Sequence, residues 1–410
     1  MNILLFHTVD FPNGGAESAH AALIIRGLRK NGENAFLLIP YGAMLGVETM
    51  NERTRGHFGG VPYFYMNGKT TRSLNIFKSF IEIYSGMINS ALLIFKRRLK
   101  KKKDIIIIGT PDASRYFPVI LCCIILRIPF FIWIVEKSTS NTWALKTKSG
   151  FISYFGFKIA ETILPRFSSG CMVISSRLRN LYLKYLPKDK VIIYPILVDT
   201  DFVYDEELLS KVSWFRKRYY DKKLIVYSGT FSEKDGIYFI LDAFSILIKE
   251  YPDAHLIMTG YSSVPEIIEK VKDYICRLDL NEQVEMVGFI SREDLVCYNL
   301  VADILLVCRT NSEYANYGFP WKLGEYCMTG RPILATRVSD IELYFEDGEN
   351  IFLAEPENAK AIAEKMTSIF ENYDESLIVT RNAKKIAKTH FDYIGQTKKI
   401  IEFMNKNVGR

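Results

Sequence analysis

Asn316-Tyr-Gly-Phe-Pro-Trp-Lys-Leu-Gly-Glu-Tyr-Cys-Met-Thr-Gly-Arg-Pro332 lies between two apolar runs, Asp303-Ile-Leu-Leu-Val-Cys308 and Pro332-Ile-Leu-Ala-Thr336. Both runs read as buried strands, because a sheet covered on both faces needs continuous rather than alternating apolar residues. Pro320 suits the first turn of a helix, where its missing N–H costs nothing. Gly330 suits the position just past the helix end. The stretch therefore reads strand, loop, short helix, strand. In an open parallel sheet that loop sits at the carboxyl end of a strand, where ligands bind. Lys322 and Glu325 are three apart, so they share one helix face beside the loop. A cation at a helix start suits a phosphate, and a carboxylate one turn on suits a sugar hydroxyl. The competing reading of the spacing is an ordinary i,i+3 ion pair on a solvated face.

Outward from this stretch the same unit repeats. Asn2–Thr8 reads as a strand, followed by a loop with Gly14 and Gly15, a helix over 19–30 and a strand over 35–39. Glycines at a helix start let backbone N–H groups approach an anion closely. The pair lacks the Gly-x-Gly-x-x-Gly spacing of a dinucleotide fold, which counts against a dehydrogenase. Asp104–Gly109 is a strand with Pro111 opening the next helix, and Phe130–Val135 is a strand ending at the polar run Glu136–Asn141. Polar residues at a strand's carboxyl end point at a ligand site. Lys223–Thr230 is a strand, and its loop Phe231-Ser-Glu-Lys-Asp-Gly236 puts Lys234 and glycines at the start of helix 237–249. That arrangement reads as a second anion site, the competing reading being a solvated loop lysine. Strands follow at His255–Tyr261, closed by Gly260, and at Val284–Phe289, with a helix Val264–Leu278 between them.

A chain of 410 residues with 49% hydrophobic content has room for two cores. Seven cysteines and five histidines show no metal-ligand spacing, and no signal peptide stands at the start. They read as reduced thiols in a cytosolic protein with no metal site. Net charge is +7, densest at Phe95-Lys-Arg-Arg-Leu-Lys-Lys-Lys-Lys103, the end of an apolar stretch beginning at Ile76. The spacing predicts an amphipathic helix able to lie on an anionic leaflet through Lys96–Lys103. The alternative is a core helix with a solvated cationic end. The run lacks the interleaved aromatics of a nucleic-acid binder. Phe151–Phe167 is a further amphipathic aromatic segment, and Arg127 with Pro129 divides Val119–Val135 into helix and strand.

Phe319–Ile333 resembles the donor-site signature of family 4 glycosyltransferases, and more narrowly a bacterial branch with Phe-Pro-x-Lys-x-x-Glu-Tyr at this place. The resemblance implies an α/β GT-B fold, two Rossmann-like doubly wound parallel-sheet domains facing a cleft. Residues 1–200 would form the acceptor-side domain and 201–389 the donor-binding domain, with a helix near 390–410 packing back on the first. It assigns Glu325 to the nucleotide ribose, and Gly14, Gly15, Gly229, Thr230, Lys234 and Lys322 to the diphosphate. Gly260 would flank the base, and Tyr317, Gly318 and Phe319 would line the donor pocket. Three departures stand out. Tyr317 replaces the first of two glutamates spaced eight apart, Thr230 stands where an arginine is common, and Glu136 stands where many members carry a histidine. Lys234 and Lys322 take the role of stabilising the departing diphosphate, and Glu136 that of binding or orienting the acceptor hydroxyl. The reaction implied by the resemblance is a retaining transfer from a UDP- or GDP-sugar, with no cofactor and no required metal. The acceptor would be a glycan or lipid-linked saccharide of bacterial surface polysaccharide assembly, at the inner face of the plasma membrane. A non-catalytic nucleotide-sugar binding protein or an epimerase on the same scaffold are the alternatives.

Overall fold

A computed structural model describes residues 1–44, 51–140, 148–260, 262 and 265–409. Asn141, Tyr261 and Val264, which the sequence reading placed at element ends, lie outside the described residues. The chain divides into two compact units. The first comprises Met1–Val198, Tyr317–Phe319 and Asp392–Arg410, and the second Asp199–Asn316 with Pro320–Phe391.

The first unit is built on an eight-stranded sheet. Its order from one edge is Val191–Ile193, Gly170–Val173, Phe130–Ile134, Asp104–Gly109, Asn2–Phe6, Asn34–Ile39, Val61–Tyr65 and Arg55–Phe58. Neighbours run parallel except the last pair, an antiparallel hairpin at the edge. Helices cover both faces of such a sheet, so its middle strands must be apolar throughout. Asp104–Gly109 meets that demand with four consecutive isoleucines, each almost fully buried. The strand order reverses between Asn2–Phe6 and Asp104–Gly109, which opens a crevice at their carboxyl ends.

The second unit holds six parallel strands in the order Val284–Gly288, Ala254–Thr259, Lys223–Ser228, Ile304–Val307, Ile333–Thr336 and Phe352–Ala354. Here the order reverses between Lys223–Ser228 and Ile304–Val307. One core of Ile225, Tyr227, Ile240, Phe244, Leu256, Met258, Leu306 and their neighbours fills one side of this sheet.

Element ends differ from the sequence reading where capping decides them. Pro320 does not occupy the first turn. The helix is Lys322–Thr329, and Pro320 instead accepts the Leu323 N–H at 3.1 Å from the turn before it. Gly330 does close it in the left-handed conformation, φ 73°. Likewise Pro111 does not open a helix: Asp112 caps Ala113–Ile125 by accepting from the Ser114 N–H. The aromatic segment Phe151–Phe167 falls on helix Lys148–Thr162 and a separate turn, Leu164–Phe167. Among the described residues no helix is long and apolar enough to cross a membrane.

The C-terminal helix Tyr393–Asn407 belongs to the first unit and packs on Ala16–Lys30. Asn31 Nδ2 ties the two by donating to the Ile394 carbonyl at 2.9 Å and to Thr397 Oγ1 at 3.1 Å. Their closest approach is at Gly27, where an added Cβ would stand 2.5 Å from Thr397 Oγ1 and 2.7 Å from the Tyr393 carbonyl. A backbone oxygen does not move aside cheaply, so a side chain there pushes the helices apart. Gly27→Val is expected to lower unfolding stability by about 1–3 kcal/mol, as overpacking does. Urea titration checks this, with Gly32→Val, where an added Cβ meets nothing within 4 Å, as a control for backbone strain alone at φ +85°.

Candidate functional site

Strands Lys223–Ser228 and Ala254–Thr259 end together, and their glycines come into direct contact. A Cβ on Gly260 would lie 1.7 Å from the Gly229 carbonyl, so no other residue fits at 260. Gly229 donates its N–H to Thr259 O at 3.0 Å, and its Cα faces Lys322, with a virtual Cβ 3.0 Å from the ammonium nitrogen. Helix Lys322–Thr329 is pinned to the same strand by Ser228 Oγ and Tyr326 OH, 2.5 Å apart.

This anchorage aims Lys322 at the switch point of the sheet. Its Nζ is buried, has no hydrogen-bond partner among the described residues, and stands 4.2 Å from the centre of the Tyr227 ring. Burial drives its pKa down to about 8, Asp235 opposes that fall, and Arg309 adds to it. Asp235 is itself 7% exposed and accepts from Thr230 Oγ1 at 2.7 Å and Ser232 Oγ at 2.6 Å. Burial pushes its carboxyl up, yet Lys322, Arg309, Lys234 and the Ser232 hydrogen bond outweigh this and hold it below the ordinary value. Lys234 sits in the same loop, with its Nζ 4.3 Å from the Tyr314 ring centre and its carbonyl accepting from Thr310 N at 3.0 Å. Arg309 is buried just past the neighbouring strand and donates Nη1 to the Ala315 carbonyl at 3.3 Å. Among the described side chains, Lys322, Lys234, Arg309 and the Asp235 carboxylate thus gather at the loop Gly229–Gly236, an arrangement suited to an anion with more than one charge.

Glu325 does not pair with Lys322, so the i,i+3 ion-pair reading does not hold. Its Oε1 accepts from Arg292 Nη2 at 2.8 Å, an ion pair that raises the Arg292 pKa. Lys322 points toward the strand ends while Glu325 points toward the start of helix Arg292–Val301. The structure therefore groups Gly229, Thr230, Lys234, Gly260 and Lys322, with Glu325 one turn further along the same helix.

Other sequence-derived candidates lie in the first unit. Gly15 caps helix Ala16–Lys30, and a Cβ added there would meet nothing within 4 Å among the described residues, while Gly14 packs on the Asp10 carbonyl and Ser18 Oγ. Tyr317, Gly318 and Phe319 are structurally part of this unit. There the Tyr317 carbonyl accepts from Ser175 Oγ at 2.7 Å, Lys137 Nζ lies 4.8 Å from the Tyr317 ring centre, and Phe319 is buried. Glu136 follows strand Phe130–Ile134 and lines a narrow crevice with Thr110, Ser138, Glu161 and Tyr182. Arg292, Arg309, Asp235 and Tyr227 were not singled out in the sequence. Two of them carried a usable signal: Arg309 follows a predicted strand, and Asp235 follows Lys234 in a predicted anion loop.

Comparison with known proteins fits this geometry. Residues 211–386 match the family described as glycosyl transferases group 1. An uncharacterized glycosyltransferase of Methanocaldococcus jannaschii is 25% identical over 194 residues, which is 46% of this chain and 46% of that protein. The alignment thus spans about half the length of that relative. Anabaena HepE, solved with UDP-glucose, superposes with a TM-score of 0.74 at 16% identity over 99% of this chain and 100% of its own. Sucrose-phosphate synthase of Thermosynechococcus elongatus does so with 0.75 at 14% identity over 100% and 99%. The fold is GT-B, two Rossmann-like α/β domains. These findings support a group 1 glycosyltransferase.

The first unit's switch point has a different chemistry. His7 lies beside Gly109 and edge-on to Trp133, whose ring stacks on His20 at 5.2 Å. Burial lowers the His7 pKa to about 4 against a backbone hydrogen bond with Gly109, and lowers that of His20 well below its ordinary value, with His7 adding to the fall. Both values lie below the ordinary 6.5, so the unfolded chain takes up protons first. Stability is whole above pH 6.5 and declines as pH falls toward 4. The expected slope approaches about 1.4 kcal/mol per pH unit for each histidine. Urea melts at stepped pH should show it, and His20→Phe should flatten it.

Proposed function

We propose that this chain is a retaining, family 4-type glycosyltransferase that moves a sugar from a nucleoside diphosphate sugar to a saccharide acceptor. The single observation that carries the reading is the Lys322 ammonium, buried beside Asp235 and Arg309 with no hydrogen-bond partner among the described residues. A departing diphosphate gains negative charge as the glycosidic bond breaks. A donor already desolvated and fixed in place stabilises that charge without reorganising. Lys234 and the backbone of the Gly229–Gly236 loop complete the anion site, and Glu325 is placed to accept from a ribose hydroxyl. Arg292 holds the Glu325 carboxylate in a set direction. The neighbours of this fold solved with UDP-glucose and with glucose-6-phosphate support a nucleotide-sugar donor and a sugar acceptor.

The diphosphate is met by side-chain cations and backbone N–H groups, so the reaction is proposed to need no divalent metal. Glu136 would orient the acceptor hydroxyl. The acceptor is proposed to be a lipid-linked saccharide of bacterial surface polysaccharide assembly, reached at the cytoplasmic face of the membrane. Lys96–Lys103 would contact anionic lipid there. A second reading, a nucleotide-sugar binding protein without turnover, is favoured by Tyr317 standing in place of an acidic donor ligand.

Thermal melting with UDP, GDP, ADP and CMP separates these readings. A ligand at a hundred times its Kd adds about 2.7 kcal/mol. The expected result is one clear responder, unchanged by EDTA, whose sugar derivative is turned over. Lys322→Ala should lower kcat/KM by about a hundredfold or more with the melting temperature of the free protein kept. Glu325→Ala should act mainly through donor binding. Near-normal rates in both variants would overturn the site assignment, and binding without turnover would favour the second reading.

A further inference from the structure

Helices Ile76–Leu99, Ala113–Ile125 and Lys148–Thr162 of the first unit pack side by side, with Ala113–Ile125 in the middle. Tyr84 OH donates to the Ser114 carbonyl at 3.0 Å and Cys122 Sγ to that of Ala91 at 3.5 Å, so the first two run in the same direction. Arg115 Nη2 reaches Ser153 Oγ at 3.0 Å and ties the third helix to the start of the second.

The first two helices each bury one stripe, with Ile83, Met87 and Ile94 on one and Tyr116, Val119 and Cys123 on the other. All three then present a second apolar stripe to solvent. Phe77 is 82% exposed on the first, Phe117 and Ile125 are 59% and 67% exposed on the second, and Phe151 is 52% exposed on the third. Isolated exposed apolar residues are ordinary, but three adjacent helices exposing large ones at helical spacing are not. Charge follows the same pattern. The three helices contain only two carboxylates, Glu82 and Glu161. Glu82 is taken by Lys69 and the Ser73 N–H, and Glu161 by Thr139. Lys78, Lys96, Arg98, Lys158 and the run Lys100–Lys103 remain exposed, whereas Arg97 is engaged bidentately by Asp104.

We infer that these three helices form one face that enters the headgroup and acyl boundary of an anionic bilayer. The inference rests on the membrane-surface reading above and deepens it: the apolar stripes insert, and the basic run only steers and trims the contact. The two modes respond oppositely to salt. Charge contacts fade as the Debye length falls to about 3 Å at molar salt, whereas apolar insertion does not. A lipid surface is favoured over a second copy of the chain because, among the described residues of these helices and the run Lys100–Lys103, the exposed charge is of one sign, which repels a copy and attracts anionic lipid.

Sedimentation with mixed phosphatidylcholine–phosphatidylglycerol vesicles tests this. The wild-type protein should stay bound at molar salt. Phe117→Ser with Ile125→Ser should bind at least about tenfold more weakly at any salt, with an unchanged melting temperature. Replacing Lys100–Lys103 by Gln should remove only the salt-sensitive part. Full release of the wild-type protein by salt would overturn the inference, as would wild-type binding by the Phe117/Ile125 variant. A wild-type dimer dissolved by that variant, with no vesicle binding, would also overturn it. Donor turnover measured on a soluble acceptor keeps the two readings apart. Turnover without vesicle binding overturns this face and leaves the transferase, and vesicle binding without turnover does the reverse.

Discussion

Lys322 holds a desolvated ammonium 4.2 Å from the Tyr227 ring centre, and the second unit is arranged around that fact. The residue opens helix Lys322–Thr329, where the helix dipole is positive and disfavours a cation. Arg309 and Lys234 raise the local cost further, and among the described groups that act on Lys322, Asp235 is the principal counter-charge. Each of these choices breaks a local rule for stability. Such breaks concentrate where a ligand completes the charge balance. The glycine contact between 229 and 260 and the Ser228–Tyr326 hydrogen bond do the opposite work. They fix two strand ends and one helix against one another and hold the buried ammonium among them.

The division of labour on that short helix follows from its period. An i,i+3 pair of opposite charges normally closes on itself for a few tenths of a kcal/mol. Here each member has a stronger claim elsewhere. Lys322 is drawn to the strand ends and the field of Asp235, while Glu325 meets the Arg292 guanidinium at 2.8 Å. Separation keeps the cation available to an anion and the carboxylate available to a hydroxyl donor. Had they paired, both would have been neutralised.

The fold was legible because both sheets are parallel and covered. Ile105–Ile108 and Ile304–Val307 show unbroken apolar runs, the first closed by Gly109 and the second by the polar run Arg309–Ser312. The helix Ile76–Leu99 was readable to its ends for the same reason of pattern. The short strands Ala43–Met44, Arg55–Phe58 and Thr71–Arg72 were not, being too brief and mixed to carry a period. Helix starts at Pro111 and Pro320 were misplaced because a side-chain cap at Asp112 and a turn before Lys322 set the boundaries. In the site, Lys322, Glu325 and Lys234 were visible because each lies inside a recognisable turn-and-helix pattern. Arg309 showed only its place after a predicted strand, and Arg292 was hidden because its meaning comes from contacts across the fold. Arg292 matters only through Glu325, 33 positions away. Asp235 looked like a loop carboxylate until burial and three neighbouring cations gave it a role.

The two units share an architecture but not a charge. Each reverses its strand order once, and each places a glycine turn and a helix start at that reversal. In the first unit the reversal is flanked by His7, Trp133 and His20, and burial keeps both imidazoles neutral at neutral pH. In the second the corresponding place carries Lys234, Arg309 and Lys322 around the Asp235 carboxylate. Topology alone makes either crevice a binding site. Electrostatics then decides which one attracts a polyanion, because a desolvated cation interacts far more strongly than a neutral ring or a lone helix end. In the proposed reaction the donor's diphosphate therefore belongs to the second unit, since Gly15 in the first offers an anion at most backbone N–H groups and a helix start.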